Sequence, residues 1–169
     1  MSSNPTKTSL GLAFFLLIPM VAASSQPPSL PASTRIDYRN TLYDFCISLP
    51  EDWKGYSIIA DQWEGSLYSP QRGYHDHRSG PMITIRSPQW TALKPFQDIP
   101  IMIFTHAQWK LVRKENLVVS AAPFPPGEIG RNSKYVFALQ PRYIHGDLPG
   151  TQEVYKLMKA KPFHAPCKQ

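Results

Sequence analysis

Apolar and polar side chains alternate along several short segments, which is the pattern of strands that bury one face. The clearest alternation covers residues 43–49. A second strand is expected at 56–60, and a third at 82–86, where Ile83 and Ile85 would point inward. These segments predict a sheet with one face covered by the rest of the domain.

Two later segments are apolar on both faces. Residues 101–104 read IMIF, and residues 135–139 read YVFAL. Strands of this kind usually lie inside a sheet, where both of their faces are covered. We therefore expect these two strands at central positions.

The helix signals are fewer and more local. Thr105 and Gln108 match a capping box, in which the side chains at the first and fourth positions bond each other's backbone amides. A helix is expected at 106–115, with a second at 151–161 that Pro162 would end. The residues expected to face the core in the first helix are Ala107, Leu111 and either Trp109 or Val112. In the second they are Val154, Leu157 and Met158.

Grouped strands and few helices predict an α+β fold, with a mostly antiparallel, sandwich-like sheet on which two or so helices pack. A short helical turn is expected after Pro50. Residues 64–81 show no periodicity and are predicted to form a long irregular loop. The 18 prolines of the chain indicate that its loops are long and stiff.

The first 25 residues have the organisation of a secretory signal peptide. A polar start with one lysine, Lys7, precedes an uncharged apolar run at 10–23 and a group of small residues. The run is shorter than the roughly 20 residues that cross a membrane. We expect a cleaved signal at 1–25, a Pro- and Ser-rich linker at 26–35 and a single domain at 36–169. An uncleaved N-terminal anchor is the alternative.

Composition and cysteines fit a secreted or periplasmic protein without a transmembrane segment in its mature part. Apolar residues make up 42% of the chain and charged residues 18%, which suits a folded domain. Cys46 and Cys167 would enter a compartment where disulfides persist. The sequence leaves open whether they form a bridge, or whether Cys46 is buried and Cys167 is free in a loose tail.

The predicted loop at 64–81 concentrates candidate binding residues: Arg72, Tyr74, His75, His77 and Arg78. His75 and His77 are spaced as in some metal sites on strands, and Asp76, His106, His145 or His164 could complete a shell. A zinc site requires three or four ligands in defined geometry. No second ligand pair with a recognisable spacing is present, so we predict neither a metal site nor a cofactor.

Catalytic motifs are not found. The chain has no G-x-S-x-G elbow, no H-E-x-x-H pair and no phosphate-binding glycine loop. The GEIG segment at 127–130 lacks a lysine. Neighbouring carboxylates at 51–52, and at Asp61 and Glu64, could act as an acid–base pair only if folding placed them in one cleft.

The chain has more basic than acidic residues, and basic residues recur on both predicted helices. The formal net charge is +6, which favours anionic surroundings and is also ordinary for an exported protein. Basic residues recur on both predicted helices: Lys110, Arg113 and Lys114 on the first, and Lys156, Lys159 and Lys161 at the second. Nucleic-acid binding is not expected, because it would need aromatic residues interleaved with such a patch. The four tryptophans are expected in the core: Trp53, Trp63, Trp90 and Trp109.

Some blocks resemble known proteins. The segment YDFCISLPEDWKGY at 43–56 resembles the opening of PsbP-like α+β sandwich domains. The blocks DQWEG, IRSPQW, QDIPIMIFT-x-AQW and KYVFALQPRY resemble those of small exported bacterial proteins whose activity is unassigned. The resemblance implies architecture and export. It implies no photosynthetic role and no site residues, because a fold does not fix a function.

Two functional interpretations follow. The leading one is an exported, non-enzymatic domain that binds or scaffolds an anionic envelope component, such as an anionic glycan or another envelope polymer, or an exported protein partner. The alternative is an exported hydrolase whose site, with or without a metal, lies in the 64–81 loop.

Overall fold

The computed structural model describes residues 35–119, 125–140 and 147–167. The predicted signal peptide, nearly all of the predicted linker, and His145 lie outside the described residues. Within these ranges the first strand begins at Arg35, one residue before the predicted start of the domain.

The described residues form nine strands, two α-helices and one 3₁₀ turn. The strands are β1 (Arg35–Asn40), β2 (Phe45–Pro50), β3 (Ser57–Ser69), β4 (Gly73–Arg86), β5 (Ile99–Thr105), β6 (Leu117–Val118), β7 (Gly127–Arg131), β8 (Tyr135–Leu139) and β9 (Phe163–His164). The helices are α1 (His106–Arg113) and α2 (Thr151–Lys159), and the 3₁₀ turn is Glu51–Trp53.

The strands form two sheets. The small sheet has the order β1-β2-β9, and the large sheet has the order β6-β3-β4-β5-β8-β7. Every pairing between neighbouring strands is antiparallel. The α+β prediction is therefore confirmed. β5 and β8 lie inside the large sheet, as their two apolar faces predict.

The main core lies between the two sheets. β5 alternates strictly, so that Ile99, Ile101 and Ile103 point toward this core while Met102 and Phe104 point away from it. The rings of Phe45 from β2 and Phe137 from β8 meet there, with centroids 5.2 Å apart. Val154 of α2 closes the same core.

A second apolar cluster covers the other face of the large sheet beneath α1. Trp109 and Val112 of the helix pack there with Trp63 of β3 and Phe104 of β5. The Trp63 indole donates a hydrogen bond of 2.8 Å to the backbone carbonyl of Ile103. The large sheet is thus the middle layer of the domain.

Trp63 lies directly over a glycine of the neighbouring strand. Gly80 is its cross-strand partner in the β3–β4 register. A Cβ at position 80 would lie 2.7 Å or less from three atoms of the indole. The missing side chain leaves the space in which the indole packs.

Helix α1 begins as predicted, and Trp109, Val112 and Leu111 of its predicted face pack on the second cluster. Both hydrogen bonds of the capping box between Thr105 and Gln108 are present. Trp109 and Val112 are buried, whereas Ala107 is exposed, so the prediction that Ala107 faces the core is wrong. Ala107 precedes Trp109 by two residues, which places it about 200° away around the helix.

Helix α2 follows the predicted stripe, with Val154 buried and Leu157 and Met158 partly buried. Gly150 precedes it in the left-handed region, at φ 81°, and lies against the ring of Phe96. Lys161 follows the helix, also in the left-handed region, at φ 54°.

The prediction of an irregular loop at 64–81 is wrong. These residues form the outer part of a long hairpin, in which β3 and β4 pair from Ser57 with Arg86 to Ser69 with Gly73. No residue of this outer part is fully buried, so neither of its faces is a core face. Without one buried face, the sequence shows no alternation that would indicate a strand.

The two cysteines are bonded to each other. Cys46 of β2 forms a disulfide with Cys167, and their Cα atoms are 5.1 Å apart. The bond joins residues 121 positions apart and ties the segment after β9 to the small sheet. Of the two alternatives that the sequence leaves open, the structure shows the bridge.

Candidate functional site

The residues predicted to bind a ligand lie on the outer part of the β3–β4 hairpin. Arg72 is in the turn, and its guanidinium is 3.8 Å from the Asp76 carboxylate. Tyr74 is 69% exposed, and its ring lies 5.2 Å from that of Tyr68 on the facing strand. Arg78 donates to the carbonyl of its neighbour His77. These side chains therefore all lie on the outer part of one hairpin.

The hairpin separates His75 from His77. His77 pairs with Ser66 and His75 pairs with Leu67, so Asp76 is an extra residue in β4, at φ 46°. Because successive residues of β3 point to opposite faces, the two histidines also point to opposite faces. The bulge therefore removes the common face that their spacing indicates. Each histidine has a local contact: His75 bonds the Gly73 carbonyl, and His77 lies 3.8 Å from Glu64.

The other candidate groups are also apart from one another. No three His, Cys, Asp or Glu residues of the described ranges are grouped so that they could hold a metal ion. Glu51 and Asp52 lie in the first turn of the 3₁₀ helix. Asp61 and Glu64 are three residues apart on β3 and so point to opposite faces.

A groove lies on the face of the large sheet that α1 covers in part. Helix α1 packs over one end of this face, and the other end is open. The groove has a volume of about 360 Å³, within the usual range for small-ligand sites. The residues of the large sheet that line it lie on β3, β4 and β5: Ile59, Asp61, Met82, Thr84, Arg86 and Pro100. We call this cavity the Arg86–Trp90 groove.

Arg86 is the most strongly fixed charged side chain of this groove. Its Nε and Nη2 atoms donate to the Asp98 carboxylate, with distances of 2.9–3.3 Å. The Trp90 ring covers the guanidinium, whose central carbon is 3.8 Å from the ring centroid. A two-pronged ion pair and a cation–π contact together hold Arg86 in one orientation. Its Nη1 makes no hydrogen bond to another described residue.

The loop that carries Trp90 is tied to the rest of the domain. Phe96 is buried against Gly150, and the backbone amide of Gln97 donates to the Pro149 carbonyl at 2.9 Å. At the other end of the loop, the Trp90 amide donates to the Ser87 carbonyl. The wall of the groove is therefore built before a ligand arrives.

No family model, curated protein or solved structure matches the chain significantly. The PsbP-like resemblance, which rests on residues 43–56, stays a prediction. Among the described residues, no helix has both the length and the apolar character needed to cross a membrane.

The groove was not predicted. Trp90 is half-buried at its wall, so the prediction that it belongs to the core is wrong, whereas Trp53, Trp63 and Trp109 are buried as expected. Arg86 and Asp98 are 12 positions apart and meet because β4 pairs with β5. The one available signal was a tryptophan in a proline-bounded loop, just after a strand that ends in arginine.

Proposed function

We propose that this protein is an exported, non-enzymatic binding domain that holds an envelope glycan in the Arg86–Trp90 groove. The observation that carries this proposal is the fixed Arg86 guanidinium, which Asp98 pairs and Trp90 covers on an open sheet face. Such an arrangement offers an aromatic surface and oriented polar groups without further rearrangement.

The chemistry of a sugar matches this lining. A pyranose ring has an apolar C–H face and a rim of hydroxyl groups. The face of the half-buried Trp90 indole that does not lie on Arg86 can cover the apolar C–H face of the sugar. Arg86, Asp61, Thr84 and Gln140, which all line the groove, can exchange hydrogen bonds with its hydroxyl groups. The Nη1 atom of Arg86 also suits a carboxylate or sulfate, so an anionic glycan is the ligand class that we propose.

A binding role accounts for this groove better than hydrolysis does. Glycoside hydrolysis commonly uses two carboxyl groups on either side of the scissile bond. The groove has two such groups, Asp61 and Asp98, and Asp98 is engaged by Arg86. The hydrolase interpretation placed its site at 64–81, where the bulge puts His75 and His77 on opposite faces.

Export is supported by the disulfide. Structural disulfides form and persist in oxidising compartments and are rare in the cytosol. The bond between Cys46 and Cys167 joins distant parts of the described chain. A secreted or periplasmic location would give the domain access to envelope polymers.

The proposal can be tested by binding to defined glycans. Purified protein is passed over immobilised uronate-containing polysaccharide, sulfated polysaccharide and insoluble peptidoglycan, and affinities are measured by calorimetry on soluble fragments. Trp90→Ala should weaken binding about fivefold, because it removes one aromatic contact worth about 1 kcal/mol. Tyr155→Ala is the matched control, since Tyr155 is 48% exposed on α2 and does not line the groove.

Two results would contradict glycan binding at this site. One is that none of the three polymers retains the protein. The other is that Trp90→Ala binds as tightly as the wild type while its unfolding midpoint is unchanged. Circular dichroism of each variant verifies that the fold is intact.

A further inference from the structure

A second and larger groove lies where the edges of the two sheets meet. Its volume is about 750 Å³, and its walls are β7 of the large sheet, β9 of the small sheet and the end of α2. Apolar side chains supply most of its floor: Ile129, Met158, Pro162 and Phe163. Ile129 and Met158 also pack against the main core. The floor of the groove is therefore continuous with the apolar core of the sandwich.

The walls of this groove are fixed by close packing and backbone bonds. Phe163 lies over Gly130, where a Cβ would come within 2.9 Å of its ring. The Pro162 carbonyl accepts a hydrogen bond of 3.0 Å from the Ser48 amide of the small sheet. The Lys161 amide donates to the Met158 carbonyl at the end of α2. A ligand would meet a formed cavity and not a loop that must first be ordered.

The rim of the groove is positively charged. Lys159, Lys161 and His164 line it and are exposed. Its carboxylate, Glu128, is held by two hydrogen bonds of 2.7 Å from Arg131. These bonds hold the pKa of Glu128 below its ordinary value, so this carboxylate stays charged and paired. The Glu128–Arg131 pair is neutral as a whole, which leaves the lysines as the net charge of the rim.

Lys161 occupies a position where glycine is the usual residue. It adopts φ 54° after α2, and a left-handed conformation at this place is unfavourable for a residue with a side chain. A lysine here places a cation beside the apolar floor. The sequence uses a charged side chain where an uncharged glycine would be easier to accommodate.

We propose that this groove binds the single acyl chain of an anionic amphiphile, such as a long-chain fatty-acid carboxylate. The chain would lie along the apolar floor, and the carboxylate would interact with Lys159 and Lys161. The charge complementarity selects an anionic head group, and the apolar floor selects a hydrocarbon tail. This site shares no lining residue with the Arg86–Trp90 groove, so the two proposals stand independently.

The first experiment measures calorimetric binding of octanoate, decanoate and dodecanoate, with dodecanol and acetate as probes that each lack one feature. Burial of the chain predicts that affinity rises roughly fourfold for each added methylene. Acetate should not bind detectably, and dodecanol should bind several-fold more weakly than dodecanoate. An affinity that does not rise with chain length, or equal affinity for dodecanol, would overturn the proposal.

The second experiment locates the site. Lys159→Gln combined with Lys161→Gln should weaken dodecanoate binding about four- to twenty-five-fold, because each exposed charge contributes about two- to fivefold. Lys110→Gln on α1 combined with Lys114→Gln directly after it removes the same charge elsewhere and should leave the affinity within twofold. Equal losses in both double variants would show that only net charge matters and would refute this placement. Trp90→Ala should bind dodecanoate like the wild type, which separates this result from that of the glycan test.

Discussion

The contact between Trp63 and Gly80 allows a sharp test of how the large sheet is built. Replacing Gly80 by alanine adds one methyl group at a position where three indole atoms would lie 2.7 Å or less from it. Backbone strain does not enter, because Gly80 is not in the left-handed region. The three nearest atoms all belong to the rigid indole of Trp63, and strand pairing holds Gly80 in place, so the indole must move.

The expected loss of stability combines three contributions. Overpacking of a filled site costs about 1–3 kcal/mol. Displacing the indole would also break its buried hydrogen bond to the Ile103 carbonyl, a further loss of about 1 kcal/mol. Alanine restricts the unfolded chain more than glycine does, which returns about 0.5–1 kcal/mol. The net destabilisation of Gly80→Ala is therefore about 2 kcal/mol.

Urea unfolding followed by tryptophan fluorescence measures this change. A loss of about 2 kcal/mol lowers the midpoint by roughly 1 M at an m value typical of a small domain. Gly127→Ala is the matched control, because it is also a strand glycine and a Cβ there has nothing within 4 Å. Its free energy of unfolding should stay within about 0.5 kcal/mol of the wild type. If Gly80→Ala behaves like this control, the account of the Trp63 packing is wrong.

Two further predictions concern the covalent and ionic links. Replacing both Cys46 and Cys167 by alanine should lower the free energy of unfolding by about 2–5 kcal/mol, because the bond joins residues 121 positions apart. A reductant should lower the free energy of unfolding of the wild type by a similar amount and leave that of the variant unchanged. Glu128→Gln should lower it by about 0.5 kcal/mol at pH 7, since it removes the ion pair with Arg131. The pKa of Glu128 is lowered by folding, so its contribution is present above the ordinary value of 4.5 and is lost as the pH falls through the folded-state pKa. The urea midpoints of the wild type and of Glu128→Gln, measured at pH 7 and pH 3, check this. An equal difference between the two proteins at both pH values would contradict it.

The features that the sequence predicted well are those that local chemistry determines. The capping box needs only Thr105 and Gln108, and it forms as expected. β5 and β8 have two apolar faces because both faces of the large sheet are covered there, and this pattern is visible in each strand alone. The alternation at 82–86 likewise records that one face of β4 meets the main core.

The features that the sequence did not predict depend on pairing between distant segments. No residue of 64–81 is fully buried, so no periodicity distinguishes this outer part of the hairpin from a loop. The bulge at Asp76 depends on the register with β3, and it reverses the face on which His75 lies. Arg86 and Asp98 form a pair only after β4 and β5 align. The sequence therefore indicated the layers of the domain and did not indicate its grooves.

The small sheet determines how the molecule would respond to mechanical tension. β1 and β9 both pair with the central β2, so the first and last described strands lie on opposite sides of one strand. The disulfide joins that central strand to the segment after β9. A stretching force applied between Arg35 and Cys167 could peel β1 away, but beyond Cys46 the load would pass through the sulfur–sulfur bond. The large sheet and both helices would be shielded from extension for as long as that bond is intact.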